Sequence, residues 1–145
     1  MAFSLYYIGY IFIIHDGFNE PLRHVIKYKN SPLSQDVKDD IWKEVNSYLI
    51  DRDMYRSSNL RLSEISQDLG YPVHYISQII NEKSEDNFSA YVNYLRIEYA
   101  KNILSTKKDV KISDLIIDSG FNSKSSFYTE FKKYTGLTPL EFKNA

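Results

Sequence analysis

The hydrophobic pattern of residues 59–145 contains the same short element twice. Residues 62–71 (LSEISQDLGY) recur fifty positions later as residues 112–121 (ISDLIIDSGF), and both copies end in a glycine followed by an aromatic residue. Glycine accepts the left-handed conformation at a helix end, and an apolar residue after it can pack back on the helix. The pattern therefore predicts two short helices, each closed by a tight turn.

A second short helix is predicted after each glycine. Its buried side is marked by an i, i+4 pair, Ile76 with Ile80 in the first copy and Phe127 with Phe131 in the second. A helix advances 100° per residue, so the opposite side can be deduced from these pairs. The residues predicted on that outward side are His74, Ser77, Gln78 and Asn81 in the first copy and Ser125, Tyr128, Thr129 and Lys132 in the second.

Two helices joined by a tight turn form a helix-turn-helix (HTH) unit, whose second helix is offered to the major groove of DNA. The units are predicted at residues 62–81 and 112–134. Between them, apolar residues spaced by three or four from Phe88 to Ile103 predict one amphipathic helix over residues 88–105. Such a helix is about 27 Å long, and major grooves on one face of DNA lie about 34 Å apart. The two units could therefore enter neighbouring grooves together.

Another amphipathic helix is predicted over residues 36–55, where Val37, Ile41, Val45 and Tyr48 follow helical spacing. It is interpreted as a packing helix that covers the first HTH unit, or as a helix that conveys an upstream signal. Serine residues are favourable N-caps. We assign this role at three helix starts: Ser34, Ser63 and Ser113.

The first fifteen residues form an apolar segment, with no charged residue among positions 2–14. A membrane-spanning helix needs about 20 such residues, so three interpretations remain: the end of a membrane helix, a buried strand or helix, and a signal peptide. In the first case Arg23, Lys27 and Lys29 would place the following residues on the cytoplasmic side. Residues 16–35 are rich in glycine, proline and asparagine, which is typical of a linker.

The charge balance is unusual for a nucleic-acid-binding chain, because the 145 residues carry a net charge of −1. Phosphate neutralisation by Lys and Arg normally supplies most of the non-specific affinity. Within residues 124–133 three lysines face one glutamate, whereas residues 61–83 hold two basic and three acidic side chains. The second unit is therefore predicted to bind DNA more strongly than the first.

Nothing in the sequence points to catalysis. The three histidines, His15, His24 and His74, lack metal-ligand spacing, no glycine loop could hold a phosphate, and there is no cysteine. We expect neither an enzyme nor a cofactor or metal. The alternative function is a protein-interaction module that keeps the fold without binding DNA.

Residues 120–139 (GFNSKSSFYTEFKKYTGLTP) closely resemble the signature of the AraC-type (AraC/XylS) bacterial transcription regulators. Residues 88–104 (FSAYVNYLRIEYAKNIL) are similar to the linker helix of that family. The resemblance covers about residues 59–143. It implies an all-α, C-terminal DNA-binding domain of two HTH units joined by a long helix, in a cytoplasmic protein. Some members carry a membrane region in front, which would explain residues 2–14 as a tether to the inner membrane.

The resemblance also implies where DNA is contacted. It adds Ser123 and Lys124 to the outward-facing residues already deduced. RNA polymerase and a second copy of the chain are additional candidate partners. Two departures stand out: Glu85 occupies a position where the family often has glycine, and neither outward face carries Arg, the commonest partner of guanine. Gln78, which can pair with adenine, is expected to read sequence in the first unit.

Overall fold

The computed structural model describes residues 33–107 and 109–144, and every regular element within them is helical. The predicted all-α fold class is confirmed. The helices are α1 (Gln35–Asn46), α2 (Leu62–Leu69), α3 (Val73–Ser84), α4 (Phe88–Thr106), α5 (Ile112–Asp118), α6 (Lys124–Thr135) and α7 (Pro139–Asn144). Neither the apolar segment at residues 2–14 nor most of the predicted linker belongs to the described residues. Among the helices that are described, none is long and apolar enough to cross a membrane.

The helix predicted over residues 36–55 is divided in the structure. The α-helix ends at Asn46, a π-helical turn follows at Ser47–Asp51, and a 3-10 turn occupies Met54–Arg56. Asp53 lies between these turns with φ of 55°, in the left-handed region. The hydrophobic pattern could not show this division, because Tyr48 and Leu49 are buried in the π-helical turn as they would be in an α-helix.

The serine N-caps predicted at Ser63 and Ser113 are wrong. Helices α2 and α5 begin one residue earlier, at Leu62 and Ile112, so both serines lie inside the first turn. In α2 the carboxylate of Glu64 accepts a hydrogen bond from the backbone N–H of Arg61 at 3.3 Å. This acidic side chain satisfies a free donor at the helix start, so a serine cap is not needed there. Ser34 does occupy the N-cap position of α1, although its side chain makes no capping hydrogen bond.

The turns of both HTH units depend on a glycine in the left-handed region. Gly70 has φ of 73° and Gly120 has φ of 85°. The next residue packs into the core in both units, where Tyr71 is 2% exposed and Phe121 is 5% exposed. The backbone N–H of Phe121 also donates to the carbonyl of Ile116 at 3.1 Å, which closes the end of α5.

Two separate hydrophobic clusters form the core of the described residues. The first joins α1, α2 and α3 through side chains that include Ile41, Ile65 and Ile76. The second joins α5 and α6 through side chains that include Leu115, Phe127 and Phe131. Each HTH unit therefore has a core of its own, and α1 belongs to that of the first unit.

Helix α4 contributes to both clusters. Near its start Tyr91 packs in the first core, and further along Ile97, Ala100 and Leu104 pack in the second. Its 19 residues give a length of about 28 Å at 1.5 Å per residue. Because the two ends of one helix are buried in different cores, α4 joins the two HTH units.

Candidate nucleic-acid interface

The second helices of the two HTH units, α3 and α6, are equivalent in length and in burial. Each has 12 residues, and a shift of 51 positions places Val73 on Lys124 and Ser84 on Thr135. In this alignment Ile76 and Ile80 coincide with Phe127 and Phe131, and all four side chains are 0% exposed. We call α3 and α6 the recognition helices, since the helix in this position of an HTH unit enters the groove.

The residues predicted on the outward sides are at the surface of both recognition helices. Eight of the ten are exposed and two, Ser77 and Tyr128, are half-buried. The exposed residues are His74, Gln78 and Asn81 in α3 with Ser123, Lys124, Ser125, Thr129 and Lys132 at the start and along α6. Their assignment as DNA contacts remains a prediction, but each unit presents its set on one solvent-facing side.

In the first unit Gln78 is held by a chain of polar contacts. Its amide nitrogen donates to Glu82 at 2.7 Å, and the other carboxylate oxygen of Glu82 accepts from the ammonium of Lys38 at 2.6 Å. The hydrogen bond from Lys38, followed by that from Gln78, lowers the pKa of Glu82. Lys38 comes from α1, outside the HTH unit. The orientation of a predicted base-reading side chain is therefore linked to α1.

Asn81 contacts its own helix end. Its side-chain amide lies 3.1 Å from the carbonyl oxygens of Ser77 and Asp86, which requires the amide nitrogen to face them and donate. The bond to Asp86 joins the last turn of α3 to the loop that follows it, whereas the Ser77 carbonyl lies inside the helix. This geometry gives Asn81 a structural role at the end of α3, in addition to the predicted contact with DNA.

The three acidic side chains of the first unit all have partners. Glu64 caps α2, Glu82 pairs with Lys38, and Asp68 accepts a hydrogen bond from the hydroxyl of Tyr48 at 2.7 Å. Burial, followed by this hydrogen bond, raises the pKa of Tyr48 to about 12. A second ion pair joins Lys83 of α3 to Asp39 of α1. These acidic side chains are therefore held in specific contacts, although α1 itself carries four acidic and two basic residues and does not offset the negative charge.

The second unit begins with a well-formed helix cap. The Ser123 side chain accepts a hydrogen bond from the backbone N–H of Ser126 at 3.1 Å. Beside it, the Lys124 ammonium lies 5.3 Å from the centre of the Tyr128 ring, a cation–π arrangement. The cap fixes the start of α6, and the ring contact places a positive charge next to Tyr128.

The remaining basic residues of α6 differ in how they are paired. Lys133 lies 3.8 Å from the carboxylate of Glu130. Within residues 33–107 and 109–144 no carboxylate lies within ion-pair distance of Lys124 or Lys132. These two lysines, at the start and in the last turn of α6, are therefore available for phosphate contacts.

Sequence reasoning missed Val73, the first residue of α3. Its side chain is 42% exposed, next to His74 and at the position equivalent to Lys124. An exposed apolar side chain at the start of a recognition helix suits contact with the methyl group of thymine. Val73 directly follows the Gly70-Tyr71-Pro72 turn and lies on the helical spacing of Ile76 and Ile80, so the hydrophobic pattern alone indicated a buried side chain.

The geometry defines the class of this protein. Two HTH units on one shared helix, each with an exposed recognition helix, form a bipartite DNA-binding domain. Within the described residues no group of histidine and acidic side chains could hold a metal ion.

Comparisons with known proteins agree with this architecture. Residues 65–145 match a family profile described as "Helix-turn-helix domain". The regulatory protein YesN of Bacillus subtilis, described as uncharacterized, is 32% identical over 87 residues, covering 59% of this chain and 24% of YesN. An uncharacterized HTH-type transcriptional regulator of Staphylococcus aureus (strain MSSA476) is 31% identical over 125 residues, covering 84% of this chain and 16% of its own length. The chain thus spans a quarter or less of these two curated relatives.

Solved structures share the fold as well. The C-terminal domain of the two-component response regulator YesN from Fusobacterium nucleatum is 30% identical with a TM-score of 0.60, covering 70% of this chain and 96% of that domain. A protein of unknown function from Listeria innocua is 28% identical with a TM-score of 0.62, covering 72% of this chain and 95% of its own. The chain belongs to the AraC-type helix-turn-helix family of DNA-binding transcription regulators.

Proposed function

We propose that residues 33–144 bind a specific DNA sequence by inserting α3 and α6 into neighbouring major grooves, and thereby regulate transcription. The observation that carries this proposal is the pair of exposed recognition helices joined by a helix about 28 Å long. That length is close to the distance of about 34 Å between successive major grooves on one face of DNA.

The two recognition helices have different tasks in this proposal. In α6, Lys124 and Lys132 contact phosphates. The polar side chains of both units contact base edges or the sugar-phosphate backbone: His74, Ser77, Gln78, Asn81, Ser123, Ser125, Tyr128 and Thr129. Gln78 pairs with adenine, and Val73 packs against a thymine methyl group. The second unit supplies most of the affinity because Lys124 and Lys132 form no ion pair within the described residues, and the first unit contributes sequence preference.

The curated relatives are longer than this chain, and further partners are proposed by analogy with them. We propose that the domain works in the cytoplasm, where a tether through residues 2–14 to the inner membrane or pairing with a second copy raises its effective concentration on DNA. RNA polymerase is a proposed partner for activation. Catalysis has no part in this function.

The first experiment is a selection of bound sequences from random duplexes with the 145-residue chain, followed by titrations at several salt concentrations. If Lys124 and Lys132 each neutralise one phosphate, the logarithm of the binding constant should fall with the logarithm of salt concentration with a slope of about −1.8. Failure to bind any duplex in a salt-dependent manner would contradict DNA binding and favour the protein-interaction module.

Gln78→Ala tests the sequence preference of the first unit. The variant should lose discrimination at one base pair by about 1–3 kcal/mol, because a bidentate contact to adenine would be removed. The measurement is the affinity for a set of duplexes that differ at each position in turn. Gln67→Ala is the matched control, since Gln67 is exposed on α2 and not on a recognition helix. An unchanged preference in Gln78→Ala would show that the first unit does not read bases through this residue.

A further inference from the structure

The chain between α1 and α2 contacts the second HTH unit, although it precedes the first. We call residues 54–58 the bridging segment; it contains the 3-10 turn Met54–Arg56 and the two serines that follow. The Tyr55 side chain is 8% exposed, and its ring centre lies 6.3 Å from that of Tyr99 on α4. The bridging segment thus packs along the middle of the shared helix.

The side chain of Arg96 on α4 donates two hydrogen bonds to the bridging segment. Its Nε donates to the carbonyl of Tyr55 at 2.7 Å, and one terminal nitrogen donates to the carbonyl of Ser57 at 2.7 Å. The same guanidinium lies 5.6 Å from the centre of the Phe121 ring, in the turn of the second unit. A planar fork of donors can satisfy two carbonyls at once, which a lysine cannot do in the same geometry.

The turn of the second unit also contacts the bridging segment directly. Arg56 Nε donates to the carbonyl of Asp118 at 2.7 Å, and the amide nitrogen of Asn122 donates to the carbonyl of Ser58 at 3.1 Å. Between them Gly120 approaches so closely that an added Cβ would lie 2.5 Å from the carbonyl oxygen of Arg56. Four hydrogen bonds and a close backbone approach therefore join the start of the first unit to α4 and to the turn of the second.

The four hydrogen bonds are donated by side chains outside the two hydrophobic clusters, although Met54 packs on the first cluster and Phe121 belongs to the second. Tyr55, Arg56, Arg96 and Asn122 belong to neither cluster of buried residues. Loss of a hydrogen bond between them should leave each HTH unit folded, while the orientation of one unit relative to the other would be less tightly fixed. Two recognition helices enter neighbouring grooves together only if their separation and direction match the DNA.

We propose that Arg96 and the bridging segment fix the relative orientation of the two HTH units and thereby select the spacing between the two halves of the DNA site. Arg96 is a positioning residue in this proposal and does not contact DNA. The effect on the spacing of the DNA site rests on the proposed function, but the relative orientation of the two HTH units can be measured without DNA.

The first test measures the distance between the units. The chain has no cysteine, so spin labels can be attached to Cys introduced by Gln67→Cys in α2 and Ile117→Cys in α5, both at exposed positions. Pulsed electron resonance should give one narrow distance distribution, and a broader or shifted one after Arg96→Met. Arg96→Met keeps the aliphatic stem and removes the donors. Asn122→Ala, which removes one exposed hydrogen bond, should broaden the distribution less.

The second test measures binding to duplexes in which the spacing of the two selected half-sites varies by one base pair at a time. The unchanged chain should show a sharp optimum. Arg96→Met and Asn122→Ala should flatten it, with a loss of about tenfold or more at the optimal spacing for Arg96→Met. Affinity for a duplex carrying the second half-site alone should stay unchanged, because α6 and its lysines are not altered.

The control is Lys101→Ala, which removes an ion pair with Glu98 on the same helix but contacts no part of the bridging segment. It should change neither the distance distribution nor the spacing optimum. Equal losses for single and paired half-sites, or a narrow distance distribution in both variants with helicity retained, would overturn the proposal. Failure of the unchanged chain to bind any duplex would overturn the proposed function, while the distance measurement would still decide whether the orientation is fixed.

Discussion

The two HTH units have the same backbone plan but use different chemistry. The first contains aliphatic core residues in its recognition helix, and its charged side chains are paired with α1. The second contains the aromatic cluster of Phe121, Phe127 and Phe131, and its lysines at positions 124 and 132 form no ion pair among the described residues. The comparison shows that one backbone plan can present two different surfaces, one with its charges paired to α1 and one with lysines outside the ion pairs of the described residues.

The clearest difference between the two HTH units is that the first depends on contacts with α1. Lys38 and Asp39 of α1 pair with Glu82 and Lys83 of α3, and the Tyr71 hydroxyl donates to Glu44 at 3.0 Å. The family profile begins at residue 65, yet the first core includes Ile41 and Val45 of α1. The core of the first unit therefore extends upstream of the family profile into α1, whereas the second unit packs on α4 and α7.

The largest effects should come from the equivalent core residues Ile76 and Phe127. Phe127→Ala should destabilise the protein by about 3–5 kcal/mol and Ile76→Ala by about 2–5 kcal/mol, since both side chains are fully buried. The single tryptophan, Trp42, packs on the first core. In urea unfolding, the Phe127→Ala variant should therefore lose helicity at lower urea than the change in Trp42 fluorescence. In the Ile76→Ala variant the fluorescence should change before helicity is lost, or together with it.

Ile117→Ala is the control for this pair. Ile117 lies on α5 but is 73% exposed, so its removal should change stability by no more than about 0.5 kcal/mol. Coincident transitions in Phe127→Ala would contradict the independence of the two cores and show that α4 makes them one cooperative unit.

The repeat and the spacing of apolar residues were sufficient to predict the fold class, which the structure confirms. The long helix predicted over residues 88–105 is observed at Phe88–Thr106. Both features depend on the local spacing of apolar residues along the chain, and this spacing recurs in the two HTH units. The N-caps predicted at Ser63 and Ser113 are wrong because α2 and α5 begin at Leu62 and Ile112, and a polar residue inside the first turn cannot be told from a cap by its type alone.

The predicted site residues lie at the surface of the recognition helices, but their contacts could not be deduced from the sequence. Lys38 is 44 positions from Glu82, and Arg56 is 62 positions from the carbonyl of Asp118. All four hydrogen bonds of the bridging segment end on backbone carbonyls, which every residue possesses. A hydrophobic pattern carries no information about such contacts, and only the packing of α1 and α4 brings the partners together.

A smaller effect is expected at the equivalent positions Asn81 and Lys132, which sequence reasoning treated alike. Lys132→Ala should weaken binding to all duplexes and reduce the salt slope by about 0.9, since one phosphate contact is lost. Asn81→Ala should leave the slope unchanged and lower the free energy of unfolding by about 0.5–1.5 kcal/mol, because its bonds to Ser77 and Asp86 are removed. Salt titrations and urea unfolding measure the two effects separately.

Lys101→Ala provides the charge-matched control for Lys132→Ala, because Lys101 is paired with Glu98 on the linker helix. It should not change the salt slope. An altered base preference in Asn81→Ala with stability unchanged would assign Asn81 to the DNA interface and not to the helix end.

The smallest effect concerns the residue that ends each recognition helix. Glu85 has φ of 60° and the equivalent Gly136 has φ of 76°. Both residues are therefore in the left-handed conformation, one as a glutamate and the other as a glycine. The left-handed conformation costs a side-chain-bearing residue about 1–2 kcal/mol, whereas glycine loses more backbone freedom on folding, by about 0.5–1 kcal/mol. Glu85→Gly should therefore stabilise the first unit by about 0.5–1 kcal/mol.

Gly136→Ala should destabilise the second unit by a similar amount through strain alone, because nothing lies within 4 Å of an added Cβ. Thermal unfolding of the two variants measures both changes. Destabilisation by Glu85→Gly would show that the glutamate side chain, and not the backbone conformation, stabilises this turn.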